Sequence, residues 1–358
     1  MIMKEVTVYK TGNKWQRNRY SYMAAFNLAN GISSFGESEF GNRYHHLVDP
    51  DAAGPEYNLL GDNRILAEVE NRFRTKAGDK HRVLSNTVAS QPCCFNLFAP
   101  LKFPENARLS NRLFSHLLRK PVEVEQVIIE FTPLTEESLG DQSAKGGTDS
   151  DVAVFYSYDQ GEQGVLLIEC KYIENEFSTC TSYQKKPSIR AICDCNSFHA
   201  DKFDGVAVSP NSRPDCGYRK YKNWNLTKGS AAFSEEAITS LNHCPFRFSL
   251  NQLWRNMLLA ENVARVRNLS EFHFGVLYPV QNTFLWKNNG EDVEHAFRNI
   301  LTPLGNRAFM VLELEKDVVS YLIAESNTHS SKEWLKKFWI KYLTNVNLNE
   351  SSDVQVIA

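Results

Sequence analysis

One pair of segments limits what this chain can fold into more than any other. Residues 151–158 read Asp-Val-Ala-Val-Phe-Tyr-Ser-Tyr, and residues 164–172 read Gly-Val-Leu-Leu-Ile-Glu-Cys-Lys-Tyr. Both runs are rich in β-branched and aromatic residues. Between them lies Asp159-Gln160-Gly161-Glu162-Gln163, a glycine-containing turn, so the two runs pair as an antiparallel hairpin. The run Val165-Leu166-Leu167-Ile168 is apolar at consecutive positions. Successive strand residues point to opposite faces, so this strand needs cover on both, which calls for helices on each side of a sheet.

The rest of the chain fits that frame. A further strand, 122–131, precedes the hairpin and stops at Thr132-Pro133, and two more follow at 272–280 and 308–314. Helical spacing of apolar residues covers 20–29, 85–99, 106–118, 249–268 and 332–342. A further helix places Ile65, Leu66, Val69 and Phe73 on one face, and residues 31–61 read as loop. No long linker interrupts the series, which predicts one elaborated α/β domain. Its parts are an N-terminal helical and loop extension over 1–84, a core over 85–285, and a C-terminal α/β extension over 286–358.

The chemistry gathers at one end of the hairpin. Asp151 opens one strand, and Glu169-Cys170-Lys171 closes the other. Alternation puts Glu169 and Lys171 on the same face with Cys170 opposite, and the hairpin brings Asp151 beside them. Asp149 competes for the acidic position, but the alternation running back from Val154 and Val152 favours Asp151. Two carboxylates suit Mg²⁺, which keeps several waters and needs few protein ligands; Mn²⁺ can substitute. Such an ion polarises a phosphoryl oxygen and acidifies bound water. A neighbouring lysine can orient or deprotonate that water and offset charge building on the phosphorus. Charged groups at the end of so apolar a strand are costly to place unless they are used.

In its context, Gly146-Gly147-Thr148-Asp149-Ser150-Asp151-Val152 followed by Leu167-Ile168-Glu169-Cys170-Lys171-Tyr172, this arrangement resembles the PD-(D/E)xK nuclease superfamily, in its restriction-endonuclease-like branch. Ser90-Gln91-Pro92-Cys93-Cys94-Phe95-Asn96-Leu97-Phe98 and Gln252-Leu253-Trp254-Arg255-Asn256-Met257-Leu258-Leu259-Ala260 are similar to that branch as well, so the resemblance spans about residues 85–279. It implies a core of helix, three-strand mixed sheet with hairpin, helix and strand. In that core Asp151 and Glu169 bind the metal and Lys171 completes the site. The proline of the family's first motif is absent, Ser150 standing before the aspartate. Many members carry a glutamate on a helix ahead of the strands, which makes Glu68 and Glu70 accessory candidates. Gln91, on the helix before the core, and Glu130, ending the first strand, are two more. The implied activity is Mg²⁺-dependent hydrolysis of phosphodiester bonds in DNA, as an endonuclease in restriction or anti-invader defence. The implied partners are DNA and either a second copy, as a homodimer, or a defence-system protein. The alternative is a non-catalytic nucleic-acid-binding subunit with the same fold, and RNA is a further candidate substrate.

Composition sets the remaining bounds. Lys plus Arg number 40 against 42 Asp plus Glu, a formal charge of −2, so any nucleic-acid contact must come from a local basic groove. Basic and aromatic residues interleave at 14–20, 72–82, 185–190 and 213–228. The last stretch contains Tyr218-Arg219-Lys220-Tyr221-Lys222-Asn223-Trp224, and Arg219, Lys220 and Lys222 are the best candidates for phosphate contacts. No apolar run approaches the length of a membrane span, and the first residues lack an export signal, which predicts a cytoplasmic protein with reduced thiols. Cys180, Cys193, Cys195, Cys216 and Cys244 cluster, but they include a C-x-C and no C-x-x-C, so ordinary thiols are favoured over a metal knuckle. Neither a phosphate-binding P-loop nor a serine-hydrolase elbow is present.

Overall fold

The computed structural model describes residues 7–344 except 34, 39, 76–79, 142–146, 186–221, 242 and 289. Five strands form the central sheet. Before it come helix α1 (Lys14–Ala29), a small hairpin of β1 (Gly36–Glu37) and β2 (Arg43–Tyr44), and helices α2 (Asn63–Thr75), α3 (Lys80–Ser85), α4 (Ser90–Phe98) and α5 (Ala107–Leu118). The sheet strands are β3 (Glu123–Phe131), β4 (Ser150–Tyr158), β5 (Glu162–Cys170), β6 (Glu271–Tyr278) and β7 (Phe309–Glu313), in that spatial order. The long helix α6 (Leu250–Arg267) crosses between β5 and β6, and α7 (His329–Phe338) lies near the C-terminus. Pairings are antiparallel from β3 to β5, then parallel to β6 and β7. The sheet is therefore mixed, with helices on both faces, as expected.

The hairpin sorts its residues cleanly by face. Val152, Val154, Tyr156, Leu166 and Ile168 join the core built with α4 and α5. Ala153, Phe155, Val165 and Leu167 join the core built with α6. The turn is tighter than the sequence indicated: Tyr158 pairs with Glu162, leaving three residues in the loop. Asp159 (φ 39°) and Gly161 (φ 92°) both take the left-handed backbone that such a tight reversal requires.

Two helix boundaries also differ, each for a local reason. The helix expected over 85–99 begins only at Ser90, as α4, because α3 ends at Ser85. Between them the Asn86 side chain accepts the backbone N–H of Val88 (3.1 Å), a turn that competes with helical pairing. Helix α1 starts two turns earlier than its apolar spacing suggests, capped by Asn13, whose side chain accepts from Gln16 N at 2.9 Å. Its early inward positions are Trp15 and Arg19. Arg19 is 4% exposed and donates to the carbonyls of Lys341 and Thr344, both at 3.0 Å, so a charged residue occupies an inward position that apolar spacing does not register. Among the described residues, no helix is long and apolar enough to cross a membrane.

Candidate active site

The site forms where β4 begins and β5 ends. Val152 pairs with Ile168, so Asp151 lies one residue before that pair and Glu169 one residue after it. Asp151 Oδ2 accepts the backbone N–H of Cys170 at 2.7 Å, which locks the aspartate against the end of β5. Lys171 Nζ stands 3.0 Å from Glu169 Oε1, and both side chains are nearly excluded from solvent. Lys171 N still bonds to Leu277 O (2.8 Å), so the strand end is held straight into the site. The convergence of Asp151, Glu169 and Lys171 is present in the structure.

Helix α6 supplies the support. Gln252 Nε2 donates to Glu169 Oε1 at 2.6 Å, and Asn256 Nδ2 donates to Glu169 Oε2 at 2.7 Å. Gln252 and Asn256 are four residues apart, hence on one helix face, and together they fix both oxygens of the carboxylate. Between them Arg255 donates to Thr148 Oγ1 (3.0 Å) and to Ser178 Oγ (3.3 Å), tying together the segments that flank the site.

Glu130 belongs to the cluster as well. It lies between Ile129, paired with Val152, and Phe131, paired with Ser150, so it is level with Asp151. Its φ of 56° is left-handed, a conformation that costs on the order of 1–3 kcal/mol in a non-glycine residue and collects at functional sites. Alternation breaks there: Ile128 and Phe131 pack on the α6 side, while Ile129 packs on the other. Burial pushes the Asp151 carboxyl well above the usual carboxylate range; the charges of Glu169 and Glu130 add to this, and Lys171 and the Cys170 N–H pull it back. Burial opposes the charge on Lys171, but Glu169, Glu174 and Asp151 overcome it and hold the ammonium above its ordinary value.

The other candidates are placed elsewhere. Asp149 is near Arg72 of α2: burial lowers that guanidinium's pKa, and Glu130 and Asp149 raise it. Arg72 Nε also donates to Glu130 O at 2.9 Å. Glu68 pairs with Lys102, and Glu70 pairs with Lys80 at 3.1 Å, so neither is brought to the cluster. Gln91 is half-buried on α4, one turn before Cys94, and has no hydrogen bond among the described residues. Lys222 is exposed, with its backbone N–H on Leu139 O (2.8 Å). Arg219 and Lys220 lie outside the described residues, as do Cys193, Cys195 and Cys216, while Cys180 and Cys244 are buried.

Three residues had escaped sequence reasoning: Gln252, Asn256 and Glu174. Glu174 Oε2 accepts from Ser90 Oγ and from the backbone N–H groups of Tyr172 (3.1 Å) and Ile173 (3.2 Å), just beyond Lys171. For the first two a signal existed. Polar residues four apart on a helix whose Leu253 and Met257 are fully buried, with Asn256 itself 2% exposed, are costly unless they bind something specific.

Among the described residues, no group of three or more His, Cys, Asp and Glu side chains is arranged to hold a metal ion. The donor chemistry still suits a hard cation held mainly by water. Asp151 and Glu169 lie at the adjoining ends of paired strands, and the carboxylate charges that add to burial in disfavouring ionised Asp151 are what a divalent ion would neutralise.

A strand-borne aspartate, a hairpin and a Glu-x-Lys strand end, in a mixed sheet between helices, define the class of phosphodiester-cleaving α/β folds. The profile of the PD-(D/E)XK nuclease superfamily matches residues 15–344. The chain belongs to that superfamily. Neither the curated proteins nor the solved structures compared with it gave a match.

Proposed function

We propose that this protein is a metal-dependent nuclease that hydrolyses phosphodiester bonds in DNA, with Mg²⁺ as its ion and Mn²⁺ able to substitute. The observation that carries the reading is the convergence of Asp151, Glu169 and Lys171 at one sheet end, with Glu130 level with the aspartate. Asp151 and Glu169 would hold the ion, which supplies Lewis acidity toward a phosphoryl oxygen. Lys171 keeps a positive charge beside that point and is suited to orient the attacking water and to offset charge gained by the phosphoryl oxygens. Gln252 and Asn256 prevent Glu169 from turning away. In the reaction the water oxygen bonds to phosphorus and gives up a proton. The bond to the leaving oxygen breaks, and that oxygen takes up a proton.

The DNA substrate and a role in restriction or anti-invader defence follow from the restriction-endonuclease-like pattern of the sequence, as does action as a homodimer or with a defence-system partner. Arg219, Lys220 and Lys222 are the proposed phosphate contacts. The test is incubation of purified protein with linear, circular and single-stranded DNA and with RNA, with and without Mg²⁺ or Mn²⁺. Metal-dependent cutting of circular DNA is expected. Cleavage of RNA alone would move the substrate, and no cleavage of any polymer would leave the non-catalytic binding reading.

A further inference from the structure

Two of the basic and aromatic stretches in the sequence, 14–20 and 72–82, meet at a cleft that the site above does not use. Helix α1 is fixed to the chain just beyond Lys171: Trp15 Nε1 donates to Tyr172 O at 2.9 Å, and Gln16 Nε2 donates to Ile173 O at 3.1 Å. One turn further on, about 6 Å along the axis, Tyr20 lines a cleft of about 560 Å³ between α1, the β1–β2 hairpin and α3. Tyr9, Tyr44, His46 and Phe40 complete its aromatic wall, and Arg82 and His81 supply its basic side, with Glu37 also on the lining. The cleft is thus next to the end of the Glu169–Lys171 strand, and the Tyr20 hydroxyl is near enough to Glu174 for that carboxylate to raise its pKa, after burial and Tyr9.

The aromatic groups are arranged for use by a flat ring. His46 stacks on Tyr44 at 5.2 Å and 22°, and Tyr9 meets Tyr20 and Tyr44 edge-on at 5.6 and 5.8 Å. Phe40 is 81% exposed and Tyr9 43% exposed, so the outer wall is not packed as core. His46, by contrast, is only 4% exposed, and its Nδ1 has no hydrogen-bond partner among the described residues. Burial, with a smaller push from His45, lowers the His46 pKa to about 4, so the ring is neutral and offers one donor and one acceptor. A buried polar nitrogen without a partner is expensive, and this one belongs to a residue of the cleft lining.

We infer that this cleft takes an unpaired nucleobase of the strand being cut, stacking it among Tyr20, Tyr44, Tyr9 and Phe40 beside the scissile phosphate. This rests on the nuclease reading for its substrate and narrows that substrate to one with an unstacked base near the cut. Inside a duplex the faces of a base are covered by its neighbours, so an aromatic wall can engage only a single-stranded, frayed or flipped nucleotide. The shared ligand chemistry is the base itself, and the sugar decides between DNA and RNA.

The test uses the full chain carrying Lys171→Ala, so that binding is read without cutting. A 12-nucleotide single-stranded DNA containing 2-aminopurine is titrated, with the RNA of the same sequence and a blunt duplex as the other arms. Saturable quenching by the single strand and none by the duplex is expected, and the better of the DNA and RNA arms names the strand. Phe40→Ala cannot disturb the fold from so exposed a position, and it and Tyr44→Ala should each weaken binding roughly 5- to 150-fold, as loss of one base–aromatic stack does. Tyr44→Phe should bind like the parent. Affinities within twofold of the parent for both alanine variants, or equal quenching by the duplex, would overturn the inference. The nuclease reading is tested separately by cleavage with Lys171 intact, so a cutting enzyme with an idle cleft and a base-binding chain that cuts nothing give different results.

Discussion

Replacing Asn256 by leucine, a side chain of similar shape, tests whether α6 holds the carboxylate proposed to bind the metal. The substitution removes the donor 2.7 Å from Glu169 Oε2 and leaves Gln252 and Lys171 on Oε1. A hydrogen bond to a charged group contributes roughly 1.5–3 kcal/mol, and the oxygen left behind is buried, since Glu169 is 6% exposed. Two effects should follow. Stability should fall by about 1–3 kcal/mol, a Tm loss of a few degrees that a melting curve will read. The carboxylate is also free to turn about its last torsion, and losing such an outer partner typically costs 10–100-fold in metal affinity or activity. The assay is the initial rate of DNA cleavage across an Mn²⁺ titration. Half-saturating Mn²⁺ should rise about 10–100-fold, while the rate at saturation stays within a few-fold of the parent. Gln252→Leu should shift it less, because Lys171 remains on the same oxygen. Unchanged Mn²⁺ dependence in the Asn256→Leu, Gln252→Leu double variant would refute the positioning argument. A lower saturated rate with no shift in metal demand would instead assign these amides to the chemical step.

Lys171→Ala should slow cleavage by about 10²–10³-fold with DNA binding nearly intact, read by gel assay and by filter binding; parental rates would remove Lys171 from the site. Asp151→Ala should abolish calorimetric Mn²⁺ binding, whereas Asp149→Ala, which acts on the Arg72 side, should weaken it little; the reverse order would move the ligand to Asp149. Burial lowers Lys341 from 10.5 to about 7, with its Nζ on Asn58 O (2.6 Å) and Asn58 Oδ1 (2.7 Å). The unfolded chain therefore binds more protons between those values, and stability rises with pH. Relative to Lys341→Met, the parent should gain roughly 2 kcal/mol between pH 7 and 9 in urea melts, and parallel curves would show that Lys341 keeps an ordinary pKa. Neutralising Arg219, Lys220 and Lys222 together should lower the log–log salt slope of duplex binding by at most about 2.7, and an unchanged slope would mean that they do not touch phosphate.

The sheet was legible because its signal is local and redundant. Strand β5 is apolar on both faces, and its neighbours carry period-two patterning, so the hairpin and the facing of its residues followed from Val152, Val154 and Leu166, whereas the register slipped by two with the shorter turn. The helix edges were less legible where polar residues occupy inward positions. Arg19 is buried under Trp15, Tyr22 and Tyr172, with centroid distances of 5.5, 4.5 and 5.5 Å, and satisfies carbonyls more than 300 residues away in sequence. No periodicity rule recovers such a contact, because its partner is fixed only once the C-terminal segment has packed. The Asn86 turn between α3 and α4 is a different failure: the competing hydrogen bond is local, and an Asn before Thr87-Val88 could have been read as a helix break.

The same division runs through the site. Asp151, Glu169 and Lys171 are linked by a hairpin with a three-residue loop, so adjacent pairing and alternation brought them together. Gln252 and Asn256 are separated from Glu169 by about half the core and a change of secondary structure, and only the packing of α6 on β5 makes them partners. Glu130 shows why parity is an unreliable guide at a strand end: one left-handed residue moves Phe131 to the α6 face and brings the carboxylate level with Asp151, which strict alternation does not foresee. Glu68 and Glu70 fail for the opposite reason. Their helix is real, but there Glu68 pairs with Lys102 and Glu70 with Lys80. Residues joined by a short, stiff connection can thus be placed together from sequence, whereas those that meet through a packed helix need the fold. The second group is where the orientation of Glu169, and with it the strength of the proposed metal binding, is set.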